Sequence, residues 1–202
     1  GTFALISCRS ARAATLLGAG GAACGCLCGL TGAIDALCNG AFGAPVSVPW
    51  PLPDALGLGS ICFGLDALSA FFLVPIFGLG LVAAVYGAAY LQSYGRDRSL
   101  GPPWFNFNLM VAAMAALVLA RNGLLFLLIW EVMTLASFFL VAFEHEKDSV
   151  RRAAWTYLIA SHLGAAFLFV LFVLLGRASH SLDFDTFSPA AEQTGLLFVL
   201  GM

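Results

Sequence analysis

"LLFLLIWEVMTLASFFLVAFEHE", residues 124–146, reads as lipid-soluble helix except at Glu131. About 20 consecutive apolar residues are enough to cross a bilayer. This stretch therefore decides the fold: a bundle of membrane helices, with a carboxylate inside one of them. Glu131 lies eight residues after Gly123 and thirteen before Glu144, near the bilayer midplane at a rise of about 1.5 Å per residue. A charge there costs at least about 2.5–3.5 kcal/mol on insertion scales. Protonation, a basic partner or a polar cavity would relieve it. Burial favours the neutral acid and a nearby cation favours the carboxylate. A glutamate whose partner comes and goes can therefore load and release a proton. The bland alternative is a neutral glutamic acid hydrogen-bonded between packed helices.

Composition extends this reading to the whole chain. Of 202 residues, 61% are hydrophobic and 10% charged, with mean hydropathy +0.95; a soluble domain carries about 25% charged residues. The 22 glycines suit close helix packing in lipid. A transmembrane barrel would show alternating segments of about ten residues instead of long apolar blocks. The net charge of −2 gives no sign of a nucleic-acid partner. There is no phosphate loop, no dinucleotide fingerprint and no redox-cofactor site. Among the cysteines, Cys24 and Cys28 share a helical face while Cys26 points away, so the run reads as small apolar filler and not as a metal site.

The expected fold class is an all-α polytopic membrane protein, one domain over residues 1–202. Helices are expected at about 13–37, 65–90, 107–121, 123–143 and 153–175, with a sixth starting near 193. The Arg9–Arg12 start resembles a signal peptide, but its apolar stretch exceeds the usual signal core. The Pro- and Gly-rich residues 39–60 and the stretch "GRDRSLGPPW" (95–104) read as loops. Asn122-Gly123 reads as a tight reversal, and Pro75 as a kink. Trp50, Tyr94 and Trp104 read as interfacial anchors. With alternating spans, Arg9, Arg12, Arg96, Arg98, Lys147, Arg151 and Arg152 fall on one side, the expected cytoplasmic side. The chain starts without Met and stops inside an apolar run, "TGLLFVLGM", and is expected to be a piece of a longer protein.

His162, in "YLIASHLGAAFLF", is the second titratable group at mid-membrane depth. An imidazole can relay protons through its two nitrogens; the alternative is a neutral ring bonded to a backbone carbonyl. Glu131 and His162 sit on successive antiparallel spans at comparable depth, so the two can form a coupled pair. Asp66 opens the second span as a cap or first-turn carboxylate. Glu144, His145 and Glu146 form a solvated rim with Lys147, Asp148, Arg151 and Arg152, and Glu144 is the candidate group for proton intake.

"GLDALSAFF" and "NLMVAAMAALVLARNGLLFLLIWEVMTLASFFLVAFEHE", over roughly residues 60–180, resemble the antiporter-like subunits of the complex I superfamily. Those are the proton-pumping membrane subunits of NADH:quinone oxidoreductase, membrane-bound [NiFe] hydrogenases and Mrp-type antiporters. "WEVMTLASFFLVAFEHE" with "IASHLG" is most similar to the large membrane subunit of the hydrogenase-4 and formate hydrogenlyase group. The resemblance implies that Glu131 is the family's membrane glutamate, paired with a lysine beyond Met202. It implies that His162 stands where many members hold a basic residue, and that Asp66 is structural. It further implies a bacterial or archaeal inner-membrane subunit with no cofactor of its own. Partner subunits would carry iron–sulfur clusters with [NiFe] or flavin. Two other readings stay open: an Mrp-type sodium/proton antiporter subunit, and an inactive structural fragment.

Overall fold

The computed structural model describes residues 11–50, 58–92 and 99–187. Among these residues, five helices are long and apolar enough to cross a membrane: α1 (Ala11–Asn39), α2 (Ala67–Gln92), α3 (Gly101–Leu119), α4 (Gly123–Val141) and α5 (Asp148–Ser179). The expected helix start near 193, Tyr94, and the basic residues Arg9, Arg96 and Arg98 lie outside the described residues.

Small side chains dictate how the helices meet. On α1, Ala14, Ala22, Cys26, Ala33 and Ala36 are all buried, at spacings of three, four, seven or eight that keep one helical face inward. This seam packs mainly against α2. Gly18, on the same seam, leaves room for the indole of Trp104. Trp104 is 1% exposed, packed with Ala14 and Leu100, so it is a core residue and not the expected interfacial anchor. α1 ends before Gly40, whose φ of +64° is the left-handed conformation that glycine adopts freely at helix ends.

Three expected boundaries shift. α3 starts at Gly101, within the supposed loop, because Pro102 and Pro103 occupy its first positions, where a missing N–H costs nothing. α5 starts at Asp148, so the charged rim forms its first turns. The 39–60 loop contains a strand: β1 (Val46–Pro49) pairs antiparallel with β2 (Ser60–Phe63), Val46 opposite Phe63. Pro75 lies inside α2, which continues past it as helix.

One end of the bundle is closed by extended backbone. Gly64 N–H donates to Leu119 O and Arg121 N–H to Cys62 O, each at 2.9 Å. Phe184 N–H donates to Arg121 O, and Gly123 N–H to Leu182 O, again at 2.9 Å. Residues 119–123 are thus held between β2 and the segment after α5. Asn122 does not make the expected tight turn: it is extended (φ −137°, ψ 135°) and caps α4. The opposite end carries the start of α3, the 142–147 connection and the start of α5.

Candidate proton-transfer site

Aromatic pairs set the register of α4 against α5. Phe138 meets Trp155 edge to face with centroids 5.8 Å apart, and Phe126 meets Phe172 at 5.6 Å. Seven residues back along α4 from Phe138 is Glu131, and seven residues on along α5 from Trp155 is His162. Two helical turns of antiparallel packing therefore bring these side chains level, and they touch: His162 Nε2 lies 3.1 Å from Glu131 Oε2. Both are near the middle of their helices, so the structure brings together the two residues singled out at mid-membrane depth.

The ring's other nitrogen fixes the chemistry of that contact. His162 Nδ1 lies 2.9 Å from Leu158 O. A carbonyl only accepts, so Nδ1 must carry a proton and donate it. If the imidazole is neutral, Nε2 then presents a lone pair to the carboxyl group. A lone pair facing a carboxylate oxygen is repulsive, so the contact requires one proton between them. It is either imidazolium against carboxylate or neutral imidazole accepting from neutral glutamic acid.

The surroundings are apolar. Leu158, Ile159, Leu163 and Ala166 form with His162 a shallow groove of about 440 Å³. Leu128, Val132 and Leu135 are exposed on α4, as are Ile159, Leu163 and Phe167 on α5. The pair itself is partly open, with side-chain exposures of 38% for Glu131 and 48% for His162. It therefore lies at the surface of the described helices. Among the described residues, no cluster of three or more His, Cys, Asp or Glu side chains could hold a metal ion.

Asp66 and Glu144 stand apart from the pair. Asp66 Oδ1 accepts from Ser69 N–H at 2.7 Å, capping α2, and Oδ2 pairs with Arg121 Nη2 at 2.7 Å. The Ser69 N–H first, then the Ser69 and Arg121 side chains, hold its carboxyl down to about 2. Arg121 also donates to Gly64 O at 3.3 Å and Ser69 Oγ at 3.2 Å, so the group ties α2 to the extended cap. Glu144 is at the other end of the bundle, paired with Lys147 Nζ at 2.8 Å. Thirteen residues separate it from Glu131, about 20 Å along a helix.

Sequence reading missed Arg121 as the partner of Asp66, and the buried knot built on Asn122. Asn122 is fully buried. Its Oδ1 accepts from Leu124 N–H at 3.0 Å and Leu125 N–H at 3.1 Å, while Nδ2 donates to Leu58 O at 2.7 Å and Asp183 Oδ1 at 2.8 Å. An asparagine just before an apolar run is a recognised N-cap signal. The link to Asp183 has no sequence signal.

Comparison with known proteins places the fold. Residues 120–202 match the NADH:quinone oxidoreductase/Mrp antiporter transmembrane family. Hydrogenase-4 component B of Escherichia coli is 33% identical over 132 residues, covering 65% of this chain and 19% of that protein. NADH-quinone oxidoreductase subunit L of Mycobacterium tuberculosis is 34% identical over 151 residues, covering 69% and 23%. The solved Mrp complex from a Dietzia species superposes with a TM-score of 0.72 at 23% identity, covering 99% of this chain and 23% of that one. The chain spans about a fifth of the length of the curated relatives it matches.

Proposed function

We propose that this chain, whose residues 120–202 belong to the NADH:quinone oxidoreductase/Mrp antiporter transmembrane family, handles protons within a membrane subunit of a redox-driven complex. One observation carries the reading: a glutamate and a histidine meet at 3.1 Å inside two membrane spans, in a geometry that needs a proton between them. Loaded, the pair is closed and its net charge is zero. When the proton leaves, Glu131 is an anion facing a lone pair, and the two side chains separate. That change of charge in a low-dielectric layer acts strongly on any cation nearby. It would drive the next proton along a cationic group elsewhere in the assembly. Glu144 is the proposed intake group, with water or further side chains bridging the distance to the pair.

In this reading the chain binds no redox cofactor. Partner subunits carry iron–sulfur clusters with [NiFe] or flavin, as expected for a hydrogenase or NADH:quinone oxidoreductase assembly in a bacterial or archaeal inner membrane. The matched family also takes in Mrp antiporters, which supports a second reading, a monovalent cation/proton antiporter subunit using the same pair without a redox partner.

The test is proton flux in vesicles holding the assembled complex. Glu131→Gln keeps a donor for His162 Nε2 but removes the exchangeable carboxyl proton, and is expected to lower donor-driven flux at least tenfold. Wild-type flux in that variant would reduce the pair to packing and overturn the proposal. Sodium-dependent flux without electron donors would select the antiporter reading.

A further inference from the structure

Where α3 begins, α4 ends and α5 begins, the helices leave a cavity of about 610 Å³. Pro102, Phe138, Phe139 and Trp155 wall it, and Arg151 and Glu146 reach it as well. A second depression, of about 480 Å³, shares Arg151 and Trp155 with it and adds Arg152. All three helices are long and apolar enough to cross a membrane, and the cleft lies at their ends. The result is an apolar cleft that enters the hydrocarbon layer, with two guanidinium groups at the water line. That is the complement of a phospholipid: an apolar slot for a chain and cations for a phosphate.

We propose that this cleft binds an anionic phospholipid of the surrounding bilayer. Its phosphate sits at Arg151 and Arg152, and one acyl chain lies along Phe138, Phe139 and Trp155.

The local charges favour an anion despite the carboxylates nearby. Lys147 offsets Glu144 at 2.8 Å, and Arg151 offsets Asp148. Arg151 also donates to His145 O at 3.3 Å, yet a guanidinium has five N–H donors and keeps several. Glu146 lies 3.9 Å from His145 Nε2, and Arg152, which has no carboxylate partner among the described residues, is left to meet an anion. α5 also begins without a side-chain cap, its N-cap position being Lys147. Its first N–H groups thus add to the field that attracts a phosphate.

The experiment is native mass spectrometry of the assembled protein with equal phosphatidylglycerol and phosphatidylethanolamine. The wild type is expected to retain phosphatidylglycerol preferentially. Two basic residues at a membrane surface account for about a thirtyfold difference in binding to an anionic lipid, so Arg151→Ala with Arg152→Ala is expected to cut that preference by about that factor. Arg151→Lys with Arg152→Lys is expected to restore most of it, which separates loss of charge from loss of fold. Phosphatidylglycerol with brominated chains is expected to quench a fluorescence component that disappears in Trp155→Phe. Equal retention of the two lipids by the wild type would overturn the proposal. An unchanged preference in the double alanine variant, or recovery of a quinone instead of a phospholipid, would do the same.

Discussion

Asn122→Ala should cost more than any exposed substitution in the chain, and its cost divides into two parts. Removing Oδ1 uncaps α4, where Leu124 and Leu125 N–H groups lose their acceptor; such caps are worth about 1 kcal/mol. Removing Nδ2 leaves Leu58 O and one of the bonds to Asp183 unmade at a fully buried position, at about 1–3 kcal/mol. Asp183 is not orphaned, since Oδ1 still accepts from Ser60 N–H at 3.1 Å and Oδ2 from Ser181 Oγ at 3.2 Å. The total is about 2–4 kcal/mol. For a protein of this size that lowers the melting temperature by about 4–16 °C. Asn122→Ser keeps an acceptor for the helix start and loses the two donated bonds, so it should recover about 1 kcal/mol of the loss. Thermal unfolding in detergent, followed by far-UV circular dichroism, measures both. An alanine variant melting within about 1 °C of wild type would refute this account of the knot. A serine variant as stable as wild type would show that the donated bonds contribute nothing.

Asp66→Asn should destabilise at neutral pH, and the deficit should shrink in acid. A carboxyl held at about 2 contributes stability that is complete above the ordinary carboxylate value of about 3.9 and is lost as pH falls toward 2. Melting curves between pH 6 and 2 check this, and a gap independent of pH would count against it. Thr134→Val should be neutral or stabilising by up to about 1 kcal/mol, because its hydroxyl is buried without a partner among the described residues; a clear loss of melting temperature would reveal an unseen partner. Gly123→Ala should destabilise by about 1 kcal/mol, since the added Cβ would lie 3.0 Å from Phe172 Cγ. A variant as stable as wild type would show that Phe172 yields freely.

The parts of the fold that were legible in the sequence are those governed by transfer into lipid. Five apolar blocks gave five spans, because a block of that length has few other places to go. The depth of Glu131 and His162 followed from counting along neighbouring spans, but their contact depends on the rotation of each helix. That rotation is fixed by pairs such as Phe138 with Trp155, which no single segment announces. The errors lie where local chemistry has two uses. Proline reads as a breaker, yet Pro102 and Pro103 start α3. A tryptophan beside a span reads as an interfacial anchor, yet glycine on α1 admits Trp104 to the core. The hairpin and the Asn122–Asp183 link were illegible because they rest on pairing between distant segments. The ion pair of Arg121 with Asp66 is illegible for the same reason, its partners standing 55 positions apart in the chain.

The most direct test of the central claim is the protonation state of His162, read by ¹⁵N magnetic resonance of the ring nitrogens in lipid bilayers, in the wild type and in Glu131→Gln. The account predicts Nδ1 protonated throughout, held by Leu158 O. In the wild type Nε2 should share a proton with Glu131. In Glu131→Gln the shared carboxyl proton should be gone while Nδ1 stays protonated. A neutral ring protonated at Nε2 with Nδ1 bare, or Nε2 signals unchanged by Glu131→Gln, would contradict the account.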